Sequence, residues 1–254
     1  MCLLTFIPAG TCPDKKHLEN SCSSNPHGFG YAIIKDNQEI LIGKSLNAKK
    51  LVEEFMMMRK KYPDSDALFH SRYATHGELS VDNCHPFMVG KDKKTVLAHN
   101  GILPVITPMC DTRSDTAIFA EDILPLYMRK NGGIDNPVVF KSIEEWATGS
   151  KLVLLTINPR YKKHSYLFNE KAGHWDNKGI WWSNYGYIKD MVLPTTKKDI
   201  YQDNCWTCNF INPSDEDICR QCENCLYCDD SYLSCGCFLT DYPEDLLTEM
   251  ENLK

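Results

Sequence analysis

The sequence predicts an α+β domain in which two sheets pack on one another with helices outside, followed by a small cysteine-rich module. Three observations carry this. Strand-like runs come in groups with helical runs between the groups, so the regular βαβ alternation of a doubly wound parallel sheet is missing. The length of 254 residues suits one medium domain plus a small appendage. Eight of the 13 cysteines fall between residues 205 and 237.

Taken in order, the apolar residues 2–7 read as a buried strand, and the polar, irregular stretch 11–27 reads as a loop. Phe29 to Lys35 and Glu39 to Gly43 form a strand pair turning at Asp36-Asn37. Asn47 to Tyr62 places apolar residues at 51, 52, 55, 56 and 58, an amphipathic helix capped by Asn47 and ended before Pro63. Ala67 to Tyr73 and Thr95 to His99 are further strands. Ser114 opens a helix to about Met128 that must accept Pro125 as a kink or an early end, before the stop at Asn131-Gly132-Gly133. Pro137 at a first helical position starts another helix to about Ala147. Lys151 to Ile157, Ser165 to Asn169 and Gly179 to Trp182 complete the strands. Residues 197–204 read as a linker, 205–240 as the cysteine-rich module, and 241–254 as a short acidic helix.

Charge is divided unevenly. Residues 1–204 hold 26 Lys+Arg and 23 Asp+Glu, a balance of +3, whereas residues 205–254 hold 2 and 11, a balance of −9. No stretch approaches the ~18–20 apolar residues of a membrane span. The N-terminus lacks the basic segment and long apolar core of a signal peptide, so the expected location is cytoplasmic and reducing.

Four short stretches carry chemistry. Cys2 follows Met1 directly. Once Met1 is removed, Cys2 holds a thiol beside a free α-amine whose ordinary pKa is about 7.7–8.0, a nucleophile with its own base. By itself Cys2 reads first as a small buried residue at a strand start, and the rest of the chain decides. His70-Ser71-Arg72-Tyr73-Ala74-Thr75-His76-Gly77, followed by Asn83-Cys84-His85-Pro86-Phe87, puts Arg, Thr and His at a strand end, where an Arg fork can hold a carboxylate. His99-Asn100-Gly101 offers a side-chain amide and a glycine N–H, the two donors of an oxyanion hole. Ser114-Asp115-Thr116 is either a helix cap or a carboxylate facing a ligand ammonium.

With Asn25-Pro26-His27-Gly28-Phe29-Gly30, these stretches in this order resemble the class II glutamine amidotransferases, which are N-terminal-nucleophile hydrolases; the resemblance spans roughly residues 2–185. It implies a four-layer αββα fold over residues 2–196 and the hydrolysis of a glutamine side-chain amide through a Cys2 thioester. By position, Arg72 would bind the α-carboxylate and Asp115 the α-ammonium. Thr75, His76 and Gly77 would shape the adjoining wall, and Asn100 and Gly101 would hold the oxyanion. Tyr73 stands in the flap where many relatives have Trp. The family passes ammonia to an acceptor, and nothing after residue 200 is long enough to be a synthase domain. The expectation is therefore an ammonia-accepting partner protein. A γ-glutamyl amidase acting on a small conjugate, and a non-catalytic scaffold, are the alternatives.

In the tail, Cys205-x2-Cys208-x10-Cys219-x2-Cys222 has the spacing of a tetrahedral structural zinc site. Cys225, Cys228, Cys235 and Cys237 offer a second. A segment this short needs such a staple to fold. Zinc fingers suggest nucleic acid, but the tail has only Arg220 and Lys254 to meet phosphates, so docking to a protein is the expectation.

Overall fold

A computed structural model describes residues 2–36, 38–74, 78–106, 111–188 and 219. The chain divides into two compact units, residues 1–191 and 192–254. The expected boundaries at 196, 204 and 240 lie outside the described residues.

The first unit contains two antiparallel sheets. The larger has the order β3 (Glu39–Ser45), β2 (Phe29–Lys35), β4 (Ala67–Ser71), β1 (Leu3–Ile7), β10 (Trp181–Trp182), β9 (His174–Trp175). The smaller runs β5 (Phe87–Val89), β6 (Asp92–Asn100), β7 (Lys151–Thr156), β8 (Ser165–Phe168). Side-chain alternation then sorts the apolar residues into three slabs. Leu3, Ile7, Tyr31, Phe69 and Trp182 meet Leu18 of α1 (Lys15–Ser24) and Leu51 and Phe55 of α2 (Ala48–Lys61). Leu4, Phe6, Ala32 and Leu68 point the other way, onto Val96, Ala98, Val153 and Leu155 of the second sheet. Leu97, Leu152, Leu154 and Phe168 cover the far side beneath α3 (Asp115–Ile118), α4 (Leu124–Asn131) and α5 (Pro137–Trp146). This is the four-layer αββα arrangement expected. Among the described residues no helix is long and apolar enough to cross a membrane.

Several elements follow their local signals. Asn47 Oδ1 accepts from Lys50 N at 3.0 Å and caps α2. Gly132, left-handed at φ 93°, ends α4. The proline problem in the 115–131 helix is solved by one π turn over Phe119–Ile123, after which Pro125 sits in the first turn of α4. A proline there removes no needed N–H.

Two expectations are corrected. Residues 11–27 are not a loop throughout, because Lys15–Ser24 is helix α1. Its apolar content is only Leu18 and Cys22, four apart on one face, and Asp14 caps it by accepting from Lys16 N at 2.9 Å. The strand over 179–182 is shorter than expected, and it pairs with β9.

Candidate active site

The pairing of β1 decides where the site lies. β1 is flanked by β4 and β10, with Leu3 opposite Ser71 and Thr5 opposite Trp182. Cys2 therefore emerges beside the end of β4, just where Arg72 and Tyr73 leave the sheet. Arg72 N–H donates to Gly28 O at 2.8 Å and His27 N–H donates to Arg72 O at 2.9 Å, which extends the β2–β4 ladder one step past Ser71. Gly28 has φ +140°, and a Cβ there would meet Cys84 Sγ at 2.5 Å.

Cys2 is half-buried. Its Sγ accepts from Tyr73 N–H at 3.2 Å and can donate to Tyr73 O at 3.4 Å. The contact of Tyr73 with the nucleophile is thus through its backbone; its ring, 44% exposed, lies against His27 with centroids 4.8 Å apart. Burial pushes the Cys2 thiol above its ordinary range. The Tyr73 bond, the positive chain start and the Arg72 guanidinium oppose that shift, and the Asp115 carboxylate adds to it. The net direction keeps the sulfur protonated at neutral pH, so attack requires a base.

Arg72 is buried, and its Nη1 donates to Glu78 O at 2.9 Å. Burial lowers its pKa, while Cys2, Cys84 and Asp115 act in the opposite sense, which places all three within electrostatic reach of the guanidinium. Asp115 begins α3. Its Oδ2 accepts from Leu103 N at 2.8 Å and its Oδ1 from Thr116 N at 2.7 Å. Ser114 is the helix cap, accepting from Ala117 N at 3.2 Å, and both Asp115 carboxylate oxygens take backbone N–H groups.

Asn100 ends β6 and is buried; its Nδ2 donates to Ser183 Oγ at 2.9 Å. Gly101 follows at φ +137°, packed so closely on Ser150 that a Cβ would overlap Oγ, Cβ and Cα of that residue. Cys2, Arg72, Tyr73, Asn100, Gly101 and Asp115 thus gather around the ends of β1, β4 and β6. Thr75, His76 and Gly77 lie outside the described residues, as do Cys205, Cys208, Cys222, Cys225, Cys228, Cys235 and Cys237. Cys219, the described thiol of that set, is buried.

Three histidines that lie within the sequence motifs, but to which those motifs assign no role, form a buried cluster. The rings of His70 and His85 are 3.9 Å apart, and His99 N–H donates to His85 Nδ1 at 3.3 Å. His70 Nε2 donates to His99 O at 3.0 Å, and His99 Nδ1 pairs with Thr116 Oγ1 at 2.9 Å. Burial lowers the pKa of all three, to about 3 for His70 and about 4 for His99, so they are neutral spacers. They join β4, β6 and α3, the elements that carry Arg72, Asn100 and Asp115. Among the described residues no group of three or more His, Cys, Asp or Glu is placed to hold a metal ion. Asn184 was missed as well: its Nδ2 donates to the carbonyl of Cys2 at 2.9 Å, and nothing local in the sequence marks it.

No protein-family model matches the chain. Among curated proteins it is similar to glutamine–fructose-6-phosphate aminotransferase [isomerizing] of Bacteroides thetaiotaomicron, 35% identical over 74 residues, or 29% of this chain and 12% of that protein. The second such enzyme of Bos taurus is 34% identical over 85 residues, again 29% of this chain and 12% of that one. Among solved structures, the glutamine phosphoribosylpyrophosphate amidotransferase of B. subtilis aligns over 72% of this chain and 42% of its own, at 16% identity and a TM-score of 0.44. The chain spans 12% of the length of the curated relatives it matches, so what it shares with those glutamine-dependent aminotransferases is one segment of them.

Proposed function

We propose that the first unit hydrolyses the side-chain amide of L-glutamine and delivers the ammonia to an acceptor on a partner protein. The carrying observation is the position of Cys2 Sγ, held by Tyr73 N–H at 3.2 Å within the electrostatic reach of Arg72 and Asp115. Opposite charges of that kind suit the carboxylate and ammonium ends of an α-amino acid. The shared segment with enzymes named for glutamine supports the same substrate.

With Met1 removed, the Cys2 amine takes the thiol proton that burial otherwise retains. Sγ attacks the amide carbon, and the negative oxygen is received by Asn100 Nδ2 and Gly101 N–H. The amine returns its proton to the departing nitrogen as the C–N bond breaks, releasing ammonia. Water then cleaves the γ-glutamyl thioester to glutamate and free thiol. Each oxyanion donor contributes about 2.7–4 kcal/mol to lowering the barrier. Cys205, Cys208, Cys219 and Cys222 are assigned to one structural zinc site on their spacing, and Cys225, Cys228, Cys235 and Cys237 offer a second. Their acidic surroundings favour a protein partner over nucleic acid.

The test is ammonia release from glutamine by protein whose intact mass lacks Met1. Cys2→Ala abolishes it; ammonia release that survives this substitution refutes the assignment. A γ-glutamyl conjugate cleaved in preference to glutamine would move the substrate to the amidase alternative.

A further inference from the structure

The segment following β10 ties the nucleophile to the oxyanion donor. Ser183 is fully buried. Its Oγ accepts from Leu4 N–H at 2.8 Å and from Asn100 Nδ2 at 2.9 Å, and its own N–H donates to Leu4 O at 2.9 Å. Next in line, Asn184 Nδ2 donates to the Cys2 carbonyl, and its Oδ1 accepts from Gly186 N at 3.0 Å. Tyr187 O accepts from the buried Asn20 Nδ2 at 2.9 Å, fastening the segment to α1. One hydroxyl therefore sets the spacing between β1 and the end of β6, which belong to different sheets.

Among the described residues the Asn100 amide has Ser183 as its side-chain hydrogen-bond partner, and its buried Oδ1 has none. The torsion that turns such an amide is broad and roughly two-fold. An oxyanion donor lowers a barrier only if it is already aimed before charge develops. We propose that Ser183 is a positioning residue for glutamine hydrolysis: it fixes the plane of the Asn100 amide and holds that amide in register with Cys2, while Asn184 fixes the Cys2 carbonyl. This rests on the glutamine hydrolysis proposed above.

The discriminating experiment compares two reactions of Cys2 in processed full-length protein. Glutamine hydrolysis passes through an oxyanion. Alkylation by iodoacetamide displaces iodide at a saturated carbon and develops none. Ser183→Ala is expected to lower kcat for glutamine by about 10- to 100-fold with KM within about two-fold, because the grips on the amino-acid end are untouched. Its alkylation rate stays at the wild-type value. Ser183→Cys, which keeps the volume and offers a weak acceptor, gives a smaller loss of the same kind, with Cys2 labelling read by peptide mass; it carries the test if the alanine variant does not fold. Unchanged kcat in both variants overturns the inference. A parallel fall in hydrolysis and alkylation also overturns it, since the serine would then serve only the strand. Wild-type protein that alkylates at Cys2 yet releases no ammonia from glutamine overturns the functional reading itself, and the role of Ser183 with it.

Discussion

Gly101→Ala tests the oxyanion geometry from the backbone side. The glycine holds φ +137°, where side chains are rarely found, and the added methyl overlaps the Cα, Cβ and Oγ of Ser150. The conformational strain costs about 1–3 kcal/mol. Overpacking against a neighbour whose backbone is part of the overlap costs about 1–3 kcal/mol more. Ser150 cannot simply swing away, because its Oγ donates to Ile102 O at 2.9 Å and its N–H to Ala147 O at 2.9 Å. A total of about 2–6 kcal/mol in a domain of this size lowers Tm by about 4–24 °C. Whatever fraction remains folded relieves the overlap by moving residue 101 off Ser150, which takes its N–H away from the developing oxyanion. Loss of one such donor slows kcat by about 100- to 1,000-fold. Scanning calorimetry and ammonia release at a temperature well below the variant's midpoint measure the two effects separately. A variant with wild-type Tm and wild-type kcat would refute both the strain argument and the place of Gly101 in the site.

The buried histidines predict acid sensitivity: their folded pKa values lie below the ordinary one, so the unfolded chain binds protons that the folded chain excludes. Stability is fully present above about pH 6.5 and falls as pH drops below it, toward about 4 for His99 and about 3 for His70, by up to about 1.4 kcal/mol per pH unit for each, with His85 acting in the same direction. Urea midpoints that stay flat between pH 6.5 and 5 would contradict this. Arg72→Ala raises KM for glutamine by at least about tenfold, since a charge-assisted pair to a carboxylate contributes about 1.5–3 kcal/mol; an unchanged KM removes Arg72 from substrate binding. Phe55→Ala, at a fully buried side chain against Tyr31 and Phe69, destabilises by about 3–5 kcal/mol without altering the Cys2 alkylation rate in folded protein. Full-length protein is expected to carry zinc by elemental analysis and to lose it to a thiol-reactive mercurial; metal-free protein with an intact circular-dichroism spectrum and melting curve would exclude a structural role for zinc.

The sheets and the long helix were legible because their signals are local. Asn47 before an amphipathic run and Gly132 after one act within a single turn of chain. Helix α1 was not, because a helix with two apolar residues owes its existence to the layer it covers rather than to its own pattern. Arg59 shows the same limit. It lies on α2 yet is buried, with Nε on Thr11 O at 2.8 Å and Nη2 on Pro8 O at 2.6 Å, partners 48 and 51 positions away. In the site, Arg72, Asn100, Gly101 and Asp115 could be named because their motifs, in their order, resemble those of the class II glutamine amidotransferases; taken singly, each also reads as an ion pair, a turn or a cap. Ser183, Asn184 and the histidines act on those residues rather than on a substrate, so only tertiary structure reveals them.

The central place of β1 also sets an order of events in the making of the protein. The carbonyl of Cys2 and the N–H of Leu4 find their partners 182 and 179 positions later in the chain. At about 5–20 residues per second, translation takes roughly 10–40 s to reach them. Throughout that interval the first strand lacks its β10 neighbour. The aminopeptidase that would unmask Cys2 has that period in which to act on a loosely held chain end. Pairing of β10 then fixes the Cys2 carbonyl and the Leu4 N–H in place.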